Sequence, residues 1–284
     1  MKEKNRFWPA VVPFAMFSLI FVLIPLCYVL GISFLTRGQI WGIVNIFTLT
    51  NYTRIIRPEY FQVFSESLVL AFITTLLTLL IGYPFGYLMA KLKSRPKKLV
   101  LLLIIVPFWT NSLVRIYGWM TILGSDGMIN NLLMKLGLID RPAKLLYTYG
   151  AVLIGMLYSL LPFMILSVYT SVEKLDWSVI EAARDLGAGK LKAFFTVTFK
   201  MTLPGVVSGC ILVFVPSTGL FFISDLLGGS KYMLAGNLIK NQLLVTRDWP
   251  FGAALSVIML LLTYLIIWLG RRLSGSRDLE VFES

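Results

Sequence analysis

The chain has 284 residues, of which 57% are hydrophobic and only 14% are charged, and its net charge is +12. Soluble domains carry about a quarter charged residues, so this composition argues against a soluble protein and favours one that lies largely in a membrane. The absence of histidine removes the most common general base and metal ligand. We therefore predict that the chain is not an enzyme and has no catalytic, cofactor or metal site.

Six segments of low charge follow one another along the chain, and each is long enough to cross a membrane. A transmembrane helix needs about 20 apolar residues to span a hydrocarbon core of about 30 Å. Paired glycines at 82 and 86 and at 205 and 209 predict close helix crossings. We predict an all-α membrane protein, one domain over residues 1–284, with spans at about 8–35, 67–90, 99–122, 146–172, 201–224 and 250–270.

Basic residues are distributed unevenly between the segments that join the predicted spans. If both ends of the chain lie on one side, 16 of the 26 Lys and Arg residues fall on that side and nine on the other. Short loops rich in Lys and Arg stay in the cytoplasm, so we predict that both termini are cytoplasmic. Basic clusters at membrane ends attract anionic lipid, so the charge indicates a lipid bilayer, and not a nucleic acid, as a partner.

The third predicted span carries polar and aromatic residues near its predicted outer end. Arg115 follows a turn-like sequence that contains Trp109 and Asn111, and an arginine at this depth must pair or reach water. Trp109, Asn111, Arg115 and Tyr117 are therefore candidates for lining a solute path. The alternative for Trp109 and Tyr117 is a structural role, since Trp and Tyr commonly form belts at membrane interfaces.

A charged stretch, residues 173–200, lies between the fourth and fifth predicted spans. Ser178 and Glu181 match a capping box, in which Ser178 caps the backbone and Glu181 reaches back to it, and Asp176 is a competing cap. Gly187 fits the left-handed position that ends a helix. The sequence therefore predicts a short helix that ends at Gly187.

One face of this predicted helix is apolar and small. Val179, Ala182, Ala183 and Leu186 recur at the spacing of a helical face, and the two alanines permit close approach by a partner. The alternative is a helix that lies on the membrane surface without a protein partner.

The fifth predicted span is followed by Asp225, which we take as the only acid next to the membrane core. An acid at such a place is functional by default, and the alternative is a plain helix end in the headgroup region. Three roles remain open for Arg115: pairing with Asp225, snorkelling outwards as an anchor, or attracting an anionic substrate. Phe221 and Phe222 are aromatic candidates for the same path, with core packing as their alternative.

The sequence Glu181-Ala182-Ala183, followed by three residues and Gly187, resembles the EAA loop of ABC-importer permeases of the type I fold. Segments at 47–56, 106–118, 171–188, 219–229 and 247–254 resemble permeases of spermidine/putrescine importers, so the resemblance covers nearly the whole chain. The chain departs from the family where Phe199-Lys200 replaces the usual Leu-Pro, although Leu203-Pro204 follows four residues later.

This resemblance implies a type I permease in a bacterial inner membrane, paired with a second homologous permease subunit. It also implies a cytoplasmic ATPase dimer and a periplasmic polyamine-binding protein as partners. The ATPase would contact Glu181, Ala182, Ala183 and Gly187 and would bind ATP and Mg²⁺. The chain itself is expected to bind no cofactor, because its GAGK at 187–190 lacks the earlier glycine and the Ser or Thr of a phosphate-binding loop.

Two alternatives to a polyamine permease remain at this point. One is an ABC permease for another small solute, and the other is a secondary transporter or channel that works without ATP. Proton or sodium coupling usually requires acids or histidine relays within the membrane, and the sequence shows little of either.

Overall fold

The computed structural model describes residues 8–38, 42–229 and 231–274, and most of them are helical. The helices are α1 (Trp8–Ser18), α2 (Ile24–Ser33), α3 (Thr50–Ile55), α4 (Pro58–Ala90), α5 (Ser94–Ile105), α6 (Ser112–Leu123), α7 (Met128–Lys135), α8 (Tyr149–Glu173), α9 (Trp177–Asp185), α10 (Lys190–Ala193), α11 (Phe199–Gly219), α12 (Phe221–Gly228), α13 (Ala235–Leu244) and α14 (Trp249–Ser274). Two strands, β1 (Leu35–Arg37) and β2 (Ile43–Phe47), pair antiparallel. The described residues divide into two compact units, a first one of those up to Gln62 with Leu238–Leu262 and a second one of those within Val63–Asn237 with those from Thr263 onwards.

Five helical stretches in the described residues are long and apolar enough to cross a membrane: Val12–Ser33, Pro58–Ala90, Tyr149–Glu173, Lys190–Gly219 and Trp249–Arg272. A sixth candidate is a bent pair, in which Ser94–Trp109 and Ser112–Lys135 meet at 96°. The sequence predicted one unbroken span at 99–122, and the structure interrupts it. A 3-10 turn over Val106–Trp109 ends α5, and the Asn111 side chain starts α6 by accepting a hydrogen bond from the Leu113 N–H at 2.8 Å.

The predicted fifth span at 201–224 is also divided. The helical stretch begins earlier, at Lys190, and ends at Gly219. Leu220, with φ −74° and ψ 64°, leaves the helical conformation and separates α11 from α12. The candidates Phe221, Phe222 and Asp225 therefore lie on a separate short helix.

Glycines bring two helices close to α8 in the second unit. Both predicted pairs face α8: Gly82 with Gly86 on α4, and Gly205 with Gly209 on α11. A Cβ atom added at Gly86 would lie 2.9 Å from the Ile165 carbonyl oxygen, and one at Gly205 would lie 2.3 Å from the Ser171 Cβ. Such distances leave no room for a side chain, so close backbone approach explains these glycines.

The first unit is stabilised by polar contacts that join distant parts of the sequence. The buried Asn51 side chain donates hydrogen bonds to the carbonyl oxygens of Ser33 and Leu35 and so fixes the start of the hairpin. Arg54 Nη1 lies 2.9 Å from the buried carboxylate of Asp248, and its guanidinium lies 3.9 Å from the centre of the Phe251 ring. The same carboxylate accepts a hydrogen bond from the Phe251 N–H and thereby caps α14.

Candidate functional site

Helix α9 carries the Glu-Ala-Ala sequence, and both of its ends have defined caps. The predicted capping box of Ser178 and Glu181 is wrong, because Asp176 is the N-cap and accepts the Ser178 N–H at 3.0 Å. The cap position is the residue just before the helix. Because the helix begins at Trp177, that residue is Asp176 and not Ser178. Hydrogen bonds from the side chain and backbone of Ser178 lower the pKa of Asp176.

The other end of α9 has the left-handed glycine that the sequence predicted. Gly187 has φ +87°. Its N–H donates to the Arg184 carbonyl oxygen at 2.9 Å, and the Ala188 N–H donates to the Ala183 carbonyl oxygen at 3.1 Å. These two bonds form a Schellman motif, which turns the chain sharply between α9 and α10.

The predicted small and apolar face of α9 is largely open. Val179, Ala182 and Leu186 are exposed, with Leu186 at 90%, and Ala183 is half-buried. Glu181 is exposed beside them. An apolar helical face that the chain leaves uncovered is typical of a contact surface for another protein.

The opposite face of α9 is held by aromatic rings that sequence reasoning missed. Trp177 lies against Tyr87 of α4, with ring centres 6.2 Å apart, and Tyr87 meets Phe194 edge to face at 5.9 Å. The Lys91 ammonium lies 4.2 Å from the Tyr87 ring centre and 5.1 Å from that of Trp177. The Tyr83 and Thr202 hydroxyls share a buried hydrogen bond of 2.9 Å beneath this cluster. The rings therefore attach α9 to α4, a membrane-spanning candidate.

Truncating Trp177 to alanine is expected to release α9 without unfolding the rest of the chain. Losing a half-buried tryptophan costs about 2 kcal/mol of local stability, which corresponds to roughly thirtyfold faster amide exchange. Hydrogen exchange of residues 177–186 measures this change. Trp177→Phe keeps a ring at the site and is expected to stay near the wild-type rate. Equal exchange in the alanine variant and the wild type would show that the rings do not hold α9.

The third-span candidates occupy different environments. Trp109 is 81% exposed and Tyr117 is also exposed, whereas Asn111 has a structural function as the N-cap of α6. The Arg115 guanidinium lies 5.0 Å from the ring centre of Phe108 and 5.7 Å from that of Tyr158. Its Nε is buried and has no hydrogen-bond partner among the described residues.

Asp225 is held by Asn237, a residue that sequence reasoning missed. The Asn237 amide donates to the Asp225 carboxylate at 2.6 Å and to the Phe221 carbonyl oxygen at 3.1 Å. The Asn237 side-chain oxygen accepts the Leu234 N–H, which ties the same group to the start of α13. Phe221 is exposed, whereas Phe222 packs against the core. Nothing in the sequence pointed to Asn237, because it lies twelve positions after Asp225 and on a separate helix.

Helices α6 and α12 pack against each other, and among the described residues no salt bridge joins Arg115 to Asp225. Salt bridges within the described residues include Arg54–Asp248 and Lys97–Glu173. The sequence prediction that Asp225 is the only acid next to a span is wrong. Glu66 lies within α4, one residue before the predicted second span, and it lines a cavity with Tyr149 and Tyr232.

Comparison with known proteins identifies relatives along nearly the entire chain. A family model described as "Binding-protein-dependent transport system inner membrane component" matches residues 82–277. The spermidine/putrescine transport system permease protein PotB of Escherichia coli (strain K12) is 48% identical over 261 residues, which are 91% of this chain and 95% of that protein. PotB of Salmonella typhimurium (strain SL1344) is 47% identical over 285 residues, which cover 99% of each chain.

A solved structure shares the fold at low sequence identity. A chain of the bacterial alginate ABC transporter, in complex with an alginate pentasaccharide-bound periplasmic protein, superimposes with a TM-score of 0.77 and 14% identity. The match covers 97% of this chain and 98% of that chain. The described helices thus have the arrangement of an ABC-importer permease.

Proposed function

Because the chain belongs to the family of inner-membrane components of binding-protein-dependent transport systems, we propose that it is a permease subunit of an ATP-driven polyamine importer. The assignment of polyamines as the substrate rests on the identity of 47% and 48% with two spermidine/putrescine permeases over more than nine-tenths of the chain. Spermidine and putrescine are flexible chains of ammonium groups. A periplasmic polyamine-binding protein would deliver them to the permease.

Helix α9 is the proposed contact with a cytoplasmic ATPase dimer. Its open face offers Ala182 and the apolar side chain of Leu186, Glu181 adds a polar tether, and Gly187 fixes the turn that follows. ATP and Mg²⁺ would bind to the ATPase, and this chain would hold no cofactor. When ATP binding closes the ATPase pair, a displacement of α9 would pass through the rings of Trp177 and Tyr87 to α4.

The pore is proposed to form together with a second homologous permease subunit. Phe221 and Asp225 remain the proposed path residues on α12, because a carboxylate and an aromatic face attract ammonium groups, whereas the contacts of Phe222 favour its alternative role in core packing. The rings of Phe108 and Tyr158 next to Arg115 support its role as an anchor. Trp109, Asn111 and Tyr117 are proposed to line the adjacent part of the path.

The test is to purify the chain in mild detergent with its natural partners, identify them by mass spectrometry, and reconstitute the complex. We expect a stoichiometric ATPase and a second permease. We also expect ATP-dependent uptake of labelled spermidine, with unlabelled putrescine as competitor and sulfate without effect. A chain that purifies alone and transports without ATP would contradict the proposal. Uptake of sulfate in place of spermidine would contradict the assignment of polyamines as the substrate.

A further inference from the structure

A cavity of about 450 Å³ lies in the second unit, between the start of α4 and the segment that follows α12. Ligand pockets commonly have volumes of about 300–1,000 Å³, so the cavity is large enough for a small solute. Its lining includes Ser65 and Glu66 of α4, Tyr149 at the start of α8, and Lys231, Tyr232 and Met233. Asp225 does not line it in the part of the chain that the structure describes.

Hydrogen bonds fix the walls of this cavity. The Ala235 N–H donates to the buried Ser67 Oγ at 2.8 Å, which joins the segment after α12 to α4. The Ser224 Oγ donates to the Tyr232 carbonyl oxygen and joins the same segment to α12. These two bonds tie the non-helical segment 231–234, which forms one wall of the cavity, to α4 and α12.

The side chains that line the cavity suit an alkyl ammonium group. Glu66 supplies an exposed carboxylate, and Tyr149 lines the same cavity. Tyr149 and Tyr232 meet edge to face, with ring centres 5.6 Å apart. Tyrosine ring faces attract cations and cover methylene groups, so the set matches an ammonium at the end of an apolar chain.

Lys231 carries the same functional group as the end of a polyamine. Its side chain is four methylene groups that end in a primary ammonium, which is chemically the aminobutyl end of putrescine or spermidine. A flexible exposed side chain of this kind lines the same cavity. Lys231 thus places this functional group among the residues that line the cavity, where it would compete with a polyamine.

We propose that this cavity is an accessory site for one terminal ammonium group of a polyamine, bound by Glu66 and the rings of Tyr149 and Tyr232, with Lys231 as an internal competitor. The inference rests on the proposed function. The distribution of basic residues predicts that the start of α4 and residues 225–248 face the periplasm. On that prediction, the site receives the substrate on the side from which a binding protein delivers it.

The test uses the complete transporter complex without its binding protein and measures binding of putrescine by ligand-observed NMR. Glu66→Gln is expected to raise the Kd about fivefold. Lys231→Met is expected to lower the Kd about threefold, because the internal competitor is gone. Tighter binding cannot result from misfolding, so this variant keeps the test decisive. Glu59→Gln, an exposed acid on the same helix outside the cavity, is the matched control and should bind as the wild type does. The uncharged probe 1,4-butanediol should not bind.

ATP-driven uptake by the wild-type complex separates this inference from the proposed function. If the wild type takes up putrescine but Glu66→Gln and Lys231→Met both bind it like the wild type, the accessory site is refuted and the proposed function stands. If the wild type transports putrescine but binds none of it in the NMR experiment, the accessory site is also refuted and the proposed function stands. If the intact wild-type complex takes up no polyamine, the proposed function fails and the accessory site fails with it.

Discussion

Replacing Gly187 with valine is expected to lower ATP-driven polyamine uptake by about tenfold or more, while the amount of protein in the membrane stays nearly unchanged. Gly187 has φ +87°, a conformation that costs an L-residue about 1–2 kcal/mol and a β-branched residue more. The Schellman turn would therefore rearrange and change the direction in which α9 presents its open face. No atom lies within 4 Å of a Cβ added at Gly187, so the rest of the fold has no reason to change.

Gly189 supplies the matched control for this prediction. It lies two residues further on, its φ of −59° is accessible to any residue, and a Cβ added there also meets no atom within 4 Å. Gly189→Val should retain most of the uptake. The measurements are uptake in reconstituted vesicles and quantitative blotting of the membrane fraction. Normal uptake by Gly187→Val at normal abundance would refute the role of this turn in coupling.

Replacing Gly205 with valine is expected to destabilise the fold, whereas the Gly187 variant is expected to impair coupling to the ATPase. A Cβ at this position would lie 2.3 Å from the Ser171 Cβ and 2.9 Å from the Ser167 carbonyl oxygen. Rotation of the Ser171 side chain moves only its Oγ, so the Ser171 Cβ and the Ser167 carbonyl oxygen can move only with α8. Overpacking of this kind costs about 1–3 kcal/mol, and we expect the upper end because two helices must separate. Abundance in the membrane should then fall several-fold.

A helical glycine in open space tests whether the effect is steric. Gly118 of α6 has no atom within 4 Å of an added Cβ, so Gly118→Val changes the same residue type without a collision. Membrane abundance and the thermal unfolding midpoint in detergent compare the two variants. Equal abundance and equal midpoints would contradict the proposed close crossing of α8 and α11.

The amino-acid sequence predicted the helices of the membrane region better than their interruptions. Charge-free runs indicate where a helix can cross, because lipid excludes charged groups. They do not indicate a break, since Trp109 and Leu220 are as apolar as the residues of a continuous helix. The 96° bend and the separation of α12 depend on local backbone conformations. Pro107 and Asn111 were the usable signals for the bend, since Pro interrupts a helix and Asn is a favoured N-cap.

The two parts of the candidate site differed in how far local sequence could predict them. Gly187 and the small face of α9 follow from positions close together in the chain, and helical periodicity places them correctly. The contacts of Trp177 with Tyr87, and of Asn237 with Asp225, join separate elements. Periodicity cannot specify such pairs. Glu66 was missed for the same reason, because its cavity is completed by residues from α8 and from the segment after α12.

The ion pair of Arg54 and Asp248 sets an order of events during synthesis. The two residues are 194 positions apart, and ribosomes add about 5–20 residues per second. Asp248 therefore emerges roughly 10–40 s after Arg54 at those rates. Until then Arg54 must keep its charge in water, because an unpaired buried charge is too costly. The N-terminal helices of the first unit are made first, yet they are completed only when nearly the whole chain has left the ribosome.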